Sequence, residues 1–162
     1  MQLVIEHGFP LASCEAFEQV FFDEDYNVAQ GVALDMGRTL RRLERTPERV
    51  VRHVGYDPAH VPGTPAAEAL KASRRGFVEE LDYDLRAHRG VWRTVPNAFA
   101  ERVKSVGTIE VTMRGGQVWR VVRAELTVRL FGFGARVERV IAAEIEKSYA
   151  KSTAFMLEWL RR

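Results

Sequence analysis

The last thirty residues, Phe133 to Arg162, carry Val137, Val140, Ile141, Ile145, Phe155, Met156 and Trp159 at helical spacing on one face. A helix of that length needs a broad apolar surface to lie on. The segments before it alternate in the manner of strands, so the chain must fold as a sheet with a long helix across it. In the middle of the apolar face stand Ser148 and Ser152, where large side chains are expected. Small residues at that point leave room between helix and sheet, which predicts a container for an apolar ligand.

Residues 2–6 (QLVIE) predict a first strand, broken at Pro10-Leu11-Ala12-Ser13, with Ser13 placed to cap a helix beginning near Cys14. That helix carries Phe17, Val20, Phe21 and Phe22 and runs into Asp23-Glu24-Asp25, where a second short helix over 24–34 takes over. Residues 38–45 and 49–56 read as a hairpin around Thr46-Pro47-Glu48. Residues 58–75 hold three of the six prolines and an Ala-rich stretch, and read as a loop with two helical turns. Residues 77–85, 89–96, 106–114 and 117–130 read as four further strands, the last two joined through Gly115-Gly116, a two-residue hairpin signal. Phe131-Gly132-Phe133-Gly134 then turns the chain into the closing helix. The order is one strand, two short helices, six strands and a long helix: an α+β arrangement in a single domain spanning 1–162.

Composition narrows the function classes. The formal charge of +2 gives no reason to expect nucleic acid, but its distribution is uneven. Residues 1–36 hold seven of the 22 acids and no Lys or Arg, so the remainder sets all 24 cations against 15 acids. Cys14 is the only cysteine, so no intramolecular disulfide forms. MQLVIEHGF has no basic start and too short an apolar run for a signal peptide, and no stretch approaches the length of a membrane span. A cytoplasmic protein is the expectation. The four histidines are scattered, and neither a zinc signature, a dinucleotide fingerprint, a P-loop nor a G-x-S-x-G elbow occurs, so no metal or cofactor is expected.

The element order, together with several local stretches, resembles the START-like (SRPBCC) superfamily, whose fold is called a helix grip. The stretches are Val20-Phe21-Phe22-Asp23-Glu24-Asp25-Tyr26, Gly107-Thr108, Leu126-Thr127-Val128-Arg129-Leu130-Phe131-Gly132 leading to Arg136-Val137-Glu138, and Glu158-Trp159-Leu160. Within it the chain is most similar to an uncharacterised bacterial branch with a domain of unknown function. The resemblance covers most of the chain, residues 58–75 least. It implies a curved seven-stranded antiparallel sheet wrapped around the C-terminal helix, with a hydrophobic ligand held between them. Members carry sterols or phospholipids, cyclise polyketides or form subunits of ring hydroxylases, and fold alone does not choose among these.

Resemblance and alternation together name the inward residues. From the sheet they are Phe77, Leu81 and Tyr83, then Ile109, Val111 and Met113, then Val118, Val122, Ala124 and Leu126. From the helix they are Ile141, Ile145, Ser148, Ser152, Phe155 and Trp159. Two charges share the inward parity: Arg120 between Val118 and Val122, and Glu79 between Phe77 and Leu81. Arg120 is counted with the ligand-binding residues because it would hold a carboxylate or phosphate. The preferred reading of both charges is nevertheless a strand-end position with the head group in water.

Tyr83 with Glu79, two apart on one strand face, is the pair to which an acid–base role would fall. The arginines 38, 41, 42, 45, 49 and 52 make a basic hairpin. It suits transient contact with an anionic membrane surface, or, as the preferred reading, a solvated sheet edge charged against aggregation and pairing with the acidic N-terminal third. The function expected is binding or transport of a hydrophobic small molecule, lipid or sterol-like, between sheet and helix. The alternative is a cyclase- or hydrolase-like enzyme acting on an apolar substrate in the same place.

Overall fold

The computed structural model describes residues 1–58, 76–97 and 100–162. Strand β1 (Gln2–Phe9) is followed by helices α1 (Cys14–Phe21) and α2 (Glu24–Ala33). Six strands come next: β2 (Met36–Arg45), β3 (Arg49–Pro58), β4 (Phe77–Asp84), β5 (Arg89–Pro96), β6 (Val103–Arg114) and β7 (Gln117–Val128). Helix α3 (Gly134–Trp159) closes the chain. The sheet is antiparallel throughout, in the order β1-β7-β6-β5-β4-β3-β2. The expected loop with two helical turns at 58–75 lies, apart from the end of β3, outside the described residues.

Local chemistry sets these boundaries. The Ser13 hydroxyl accepts from the Ala16 amide at 3.1 Å and caps α1. Asp23 accepts from the Tyr26 amide at 2.7 Å and caps α2. The joint between the two helices is pinned by the Asn27 side-chain amide, which donates to the Phe21 and Asp23 carbonyls at 3.0 and 2.6 Å. Thr46 accepts the Arg49 amide at 3.0 Å and closes the β2–β3 turn. Gly115 and Gly116 both adopt positive φ, at 58° and 78°, as a two-residue hairpin between right-twisted strands requires.

The first strand pairs with the last, with Ile5 beside Val122 and Phe9 beside Val118. Across the inner face the rows then run from strand to strand. Ala124 neighbours Gly107, which neighbours Trp92, then Leu81, then Arg52. A Cβ on Gly107 would stand 2.7 Å from the Trp92 ring, so the indole occupies the place of a side chain there. The next row holds Ser105, Thr94, Glu79 and Val54.

Two regions of the interior are solid. At one end α1 and α2 pack an aromatic chain against the sheet: Phe9–Phe17 at 5.1 Å, Phe17–Phe21 at 5.5 Å, Phe21–Phe22 at 4.9 Å and Phe22–Tyr83 at 5.2 Å between ring centroids. Tyr26, Phe155 and Trp159 join α2 to the end of α3. Along the β1–β7 edge, Val137 packs with Leu126 and Val128, and Ala142 with Leu3 and Ala124.

The buried stripe of α3 differs from the one its hydropathy predicts. Val137 and Met156 are buried as expected, but so are Ala142 and Thr153, with Tyr149 half-buried beside them, whereas Ser148 is exposed and Ser152 half-buried. Successive residues turn about 100° on a helix, so the buried line lies close to one position round from the Ile141–Ser148–Phe155 line. Ala142 and Thr153 are too small or too polar to mark that line by hydropathy. Among the described residues no helix is long and apolar enough to cross a membrane.

Candidate functional site

Helix α3 sits to one side of the sheet. Its backbone approaches β7, β1 and α2 rather than the strands between β6 and β2. Small Ala142 against Ala124 allows that close approach. The inner face of β3, β4 and β5 is therefore not roofed by the helix backbone. Its side chains bear this out: Phe77, Glu79, Trp92 and Thr94 on the sheet and Ile141, Ile145 and Tyr149 on the helix all keep accessible surface despite facing inward. Glu79, Tyr56 and Tyr149 have pKa values raised principally by burial, which marks them as deep in the protein. Yet the Glu79 side chain is 26% accessible. Inward side chains on both layers thus keep accessible surface, which a fully packed core would not leave them.

One end of the interior is polar. Arg52 is 3% exposed, its Nη1 donates to the Phe21 carbonyl at 3.2 Å, and its Nη2 stands 3.8 Å from Glu79. Its guanidinium also lies over the Phe21 and Phe22 rings at 5.0 and 5.4 Å. Arg38 makes a two-pronged pair with Glu24 at 2.8 and 2.9 Å, and lies beside Tyr56 in the β2–β3 pairing. Arg120 is 2% exposed and has no carboxylate partner among the described residues. It donates to Thr153 Oγ1 at 2.9 Å and reaches His7 Nδ1 at 3.4 Å, between the Phe9 and Tyr149 rings at 5.5 and 4.9 Å. The Nε groups of Arg38, Arg52 and Arg120, and the indole N–H of Trp92, have no hydrogen-bond partner among the described residues.

These charges set the titration of their neighbours. Burial pushes Tyr26 up to about 12, while Arg120, a hydrogen bond to Ser152 and Arg52 pull it back. Burial likewise takes Tyr56 to about 12, with Glu79 adding to the rise and Arg52 and Arg38 opposing it. Glu79 is raised by burial against the attraction of Arg52 and Arg38. Tyr149 is raised by burial, then by Glu79, with Arg120 and Arg52 opposing. Three tyrosines, three arginines and one carboxylate thus share a single electrostatic neighbourhood.

The residues named from sequence divide in two. Leu81, Val118, Val122, Ala124 and Ile109 are buried on the inner face, with Val111 beside Arg120, and Phe77, Ile141, Ile145 and Phe155 are half-buried around it. Met113, paired with Val118 on the same face, is 42% exposed. Ser148 points to solvent, and Ser152 is engaged by the Gln30 side chain at 3.0 Å, so this serine pair does not open the centre. Arg120 is not a strand-end residue reaching water but one of the largest fully buried side chains. Nor do Tyr83 and Glu79 pair: the Tyr83 hydroxyl donates to Glu18 at 2.7 Å, and Glu18 meets His88 Nδ1 at 2.8 Å, which ties α1 to the β4–β5 turn.

Sequence reasoning missed Arg52, Tyr56, Tyr149 and Trp92 as inward residues. Strand parity could have found Arg52 and Tyr56, since Val50, Arg52, Val54 and Tyr56 share one side of β3. The basic hairpin hid them, because two of its six arginines point inward while Arg42 and Arg49 lie exposed on Glu44 and Asp82. Among the described residues no group of three or more His, Cys, Asp or Glu is placed to hold a metal ion.

A family profile described as "Protein of unknown function (DUF2505)" matches residues 12–160. No curated protein matches the sequence. Among solved structures the chain is similar to the protein TTHA0849 from Thermus thermophilus, at 14% identity and TM-score 0.62 over 98% of both chains. It is similar to the 18 kDa protein CC1736 from Caulobacter crescentus, at 12% identity and TM-score 0.62 over 98% of this chain and 95% of that one. It is also similar to ginseng major latex-like protein 151 from Panax ginseng, at 11% identity and TM-score 0.56 over 98% and 95%. At such identities the likeness is one of fold. The curved seven-stranded sheet, the two short helices and the C-terminal helix are the helix grip that the START-like resemblance implied.

The neighbourhood of Arg120 also makes stability pH-dependent. His7 titrates below its ordinary 6.5, through burial first and the Arg120 charge second. Below that value the unfolded chain binds the proton more readily than the fold, so this group's contribution is complete above 6.5 and lost as pH falls through the lowered value. His7→Gln removes that loss. On moving from neutral pH to about 5, its melting temperature should fall less than that of the wild type, and equal falls would contradict the assignment.

Proposed function

The chain belongs to DUF2505, a protein family of unknown function, so its activity has to be argued from the site, and we propose that it binds a hydrophobic small molecule, lipid or sterol-like, between sheet and C-terminal helix. The observation that carries this reading is the set of half-buried apolar side chains, Phe77, Trp92, Ile141 and Ile145, facing inward on both layers. Apolar surface left accessible inside a protein is a standing gain for any apolar molecule that fills it, at about 25 cal/mol for each Å² covered. The fold supports it further, since helix-grip proteins keep sheet and helix apart.

The test is direct. Protein purified from its host is extracted with organic solvent and the extract examined by mass spectrometry, alongside titration with the neutral apolar dye N-phenylnaphthylamine. A recovered apolar compound and saturable dye binding are expected. Ile145→Trp, which fills the space from the helix side, should weaken dye binding at least about tenfold, the worth of a lost apolar contact of ~1.4 kcal/mol. An empty extract together with no dye binding would exclude the reading.

A second reading, catalysis on a bound apolar substrate, has one observation in its favour. Glu79 is a carboxyl raised by burial and accessible from the interior, the condition of a general acid or base. Ligands extracted from wild type and from Glu79→Gln separate the two. The same compound on both supports binding alone, whereas a chemical precursor held by the variant supports catalysis.

A further inference from the structure

The polar end of the interior carries more positive charge than its own residues neutralise. Arg38 is matched by Glu24, and Arg52 shares Glu79 at 3.8 Å, a distance beyond a direct hydrogen bond. Among the described residues Arg120 faces neutral partners: a threonine hydroxyl, an imidazole nitrogen and two aromatic rings. A buried guanidinium with five donors is stable when those donors meet acceptors and its charge meets a countercharge. Here Nε of both Arg52 and Arg120 is left unmade by the described residues. Among the described residues this end of the protein is one negative charge short of its arginines.

Donors suited to an oxyanion also lie at that end. Tyr149 covers Arg120 with its ring and keeps accessible surface. The Tyr56 hydroxyl, a neutral donor, lies within the influence of the Arg52 and Arg38 charges. The apolar part, Trp92, Ile141 and Ile145, adjoins them. We propose that the ligand is an amphipathic acid, an apolar body with a single anionic carboxylate-like head, and that the head sits at Tyr149 and Tyr56 with Arg120 and Arg52 behind them as its countercharge.

This rests on the reading of the interior as an apolar binding site and adds the chemistry of the ligand's head. Because a hydrophobic body alone would fill the apolar part, the inference makes a claim that the general reading does not. Acids should be preferred over neutral molecules of the same shape. A charge-assisted hydrogen bond in a site screened from water contributes enough to separate the two by about tenfold or more.

The test compares ligands of one chain length by displacement of N-phenylnaphthylamine from the wild-type protein: a long-chain saturated carboxylic acid, its methyl ester, and the alkyl phosphate. Acetate and inorganic phosphate serve as heads without a body. The acid should bind at least about tenfold more tightly than the ester, and the free anions should displace nothing. In Arg120→Met the ratio of acid to ester affinity should fall toward one. Tyr149→Phe should lower the same ratio, and it stands in if the arginine variant fails to fold.

Acid and ester binding equally to wild type would overturn the acid preference while leaving an apolar site. Neither binding would overturn both. The alkyl phosphate binding more tightly than the acid would overturn the carboxylate head in favour of a doubly charged one, and displacement by the free anions would overturn the amphipathic ligand in favour of a small one.

Discussion

The structure depends on where α3 can come close to the sheet. It does so through Ala142, packed with Leu3 and Ala124 at the β1–β7 edge, and through Val137 on Leu126 and Val128. That contact exists only because the first strand pairs with the last, which sets Leu3 beside Ala124. The helix is thereby held to one side, anchored at its far end by Met156 and by Phe155 and Trp159 against Tyr26. A helix with large side chains at position 142 would be pushed off that edge, and one centred on β4 and β5 would fill the space with its own side chains. The proposed interior site rests on an off-centre anchor rather than on small residues in the middle of the helix.

That distinction is also where the sequence misled. Alternation and turn chemistry placed nearly every element correctly, because Thr46-Pro47-Glu48, Gly115-Gly116 and Ser13 act locally and are seen at once in the residues. The orientation of α3 is not local. Ser148 and Phe155 share a helix line with Val137, and hydropathy centres the stripe there, but the sheet selects Ala142, Tyr149 and Thr153 by size and hydrogen bonding. Thr153 returns its hydroxyl hydrogen to the Tyr149 carbonyl at 2.8 Å and accepts from Arg120, a role no hydropathy value records. Arg120 itself was legible as inward by strand parity. Its burial was not, since the cost of enclosing a guanidinium argues for solvent until Phe9, Tyr149 and Thr153 are seen around it.

The interior is therefore two environments on one floor. One row of the sheet gives Trp92 and Leu81 and ends in Arg52, and the next gives Thr94 and Glu79. A core built only for stability would replace such groups with packed apolar side chains, often with no loss. Their retention beside half-buried isoleucines describes a surface facing inward, with an apolar wall and a charged end. The Glu18–Tyr83–His88 cluster differs: each group is satisfied by the others, and it serves to hold α1 on the β4–β5 turn.

The central claim is the space itself, and xenon tests it without presuming a ligand. Dry apolar cavities take up xenon, whereas a core packed to ordinary density does not. Crystals of the protein pressurised with the gas should show xenon between Trp92 on β5 and Ile145 on α3. An unoccupied map, with Trp92 in contact with Ile141 and Ile145 throughout, would contradict the account.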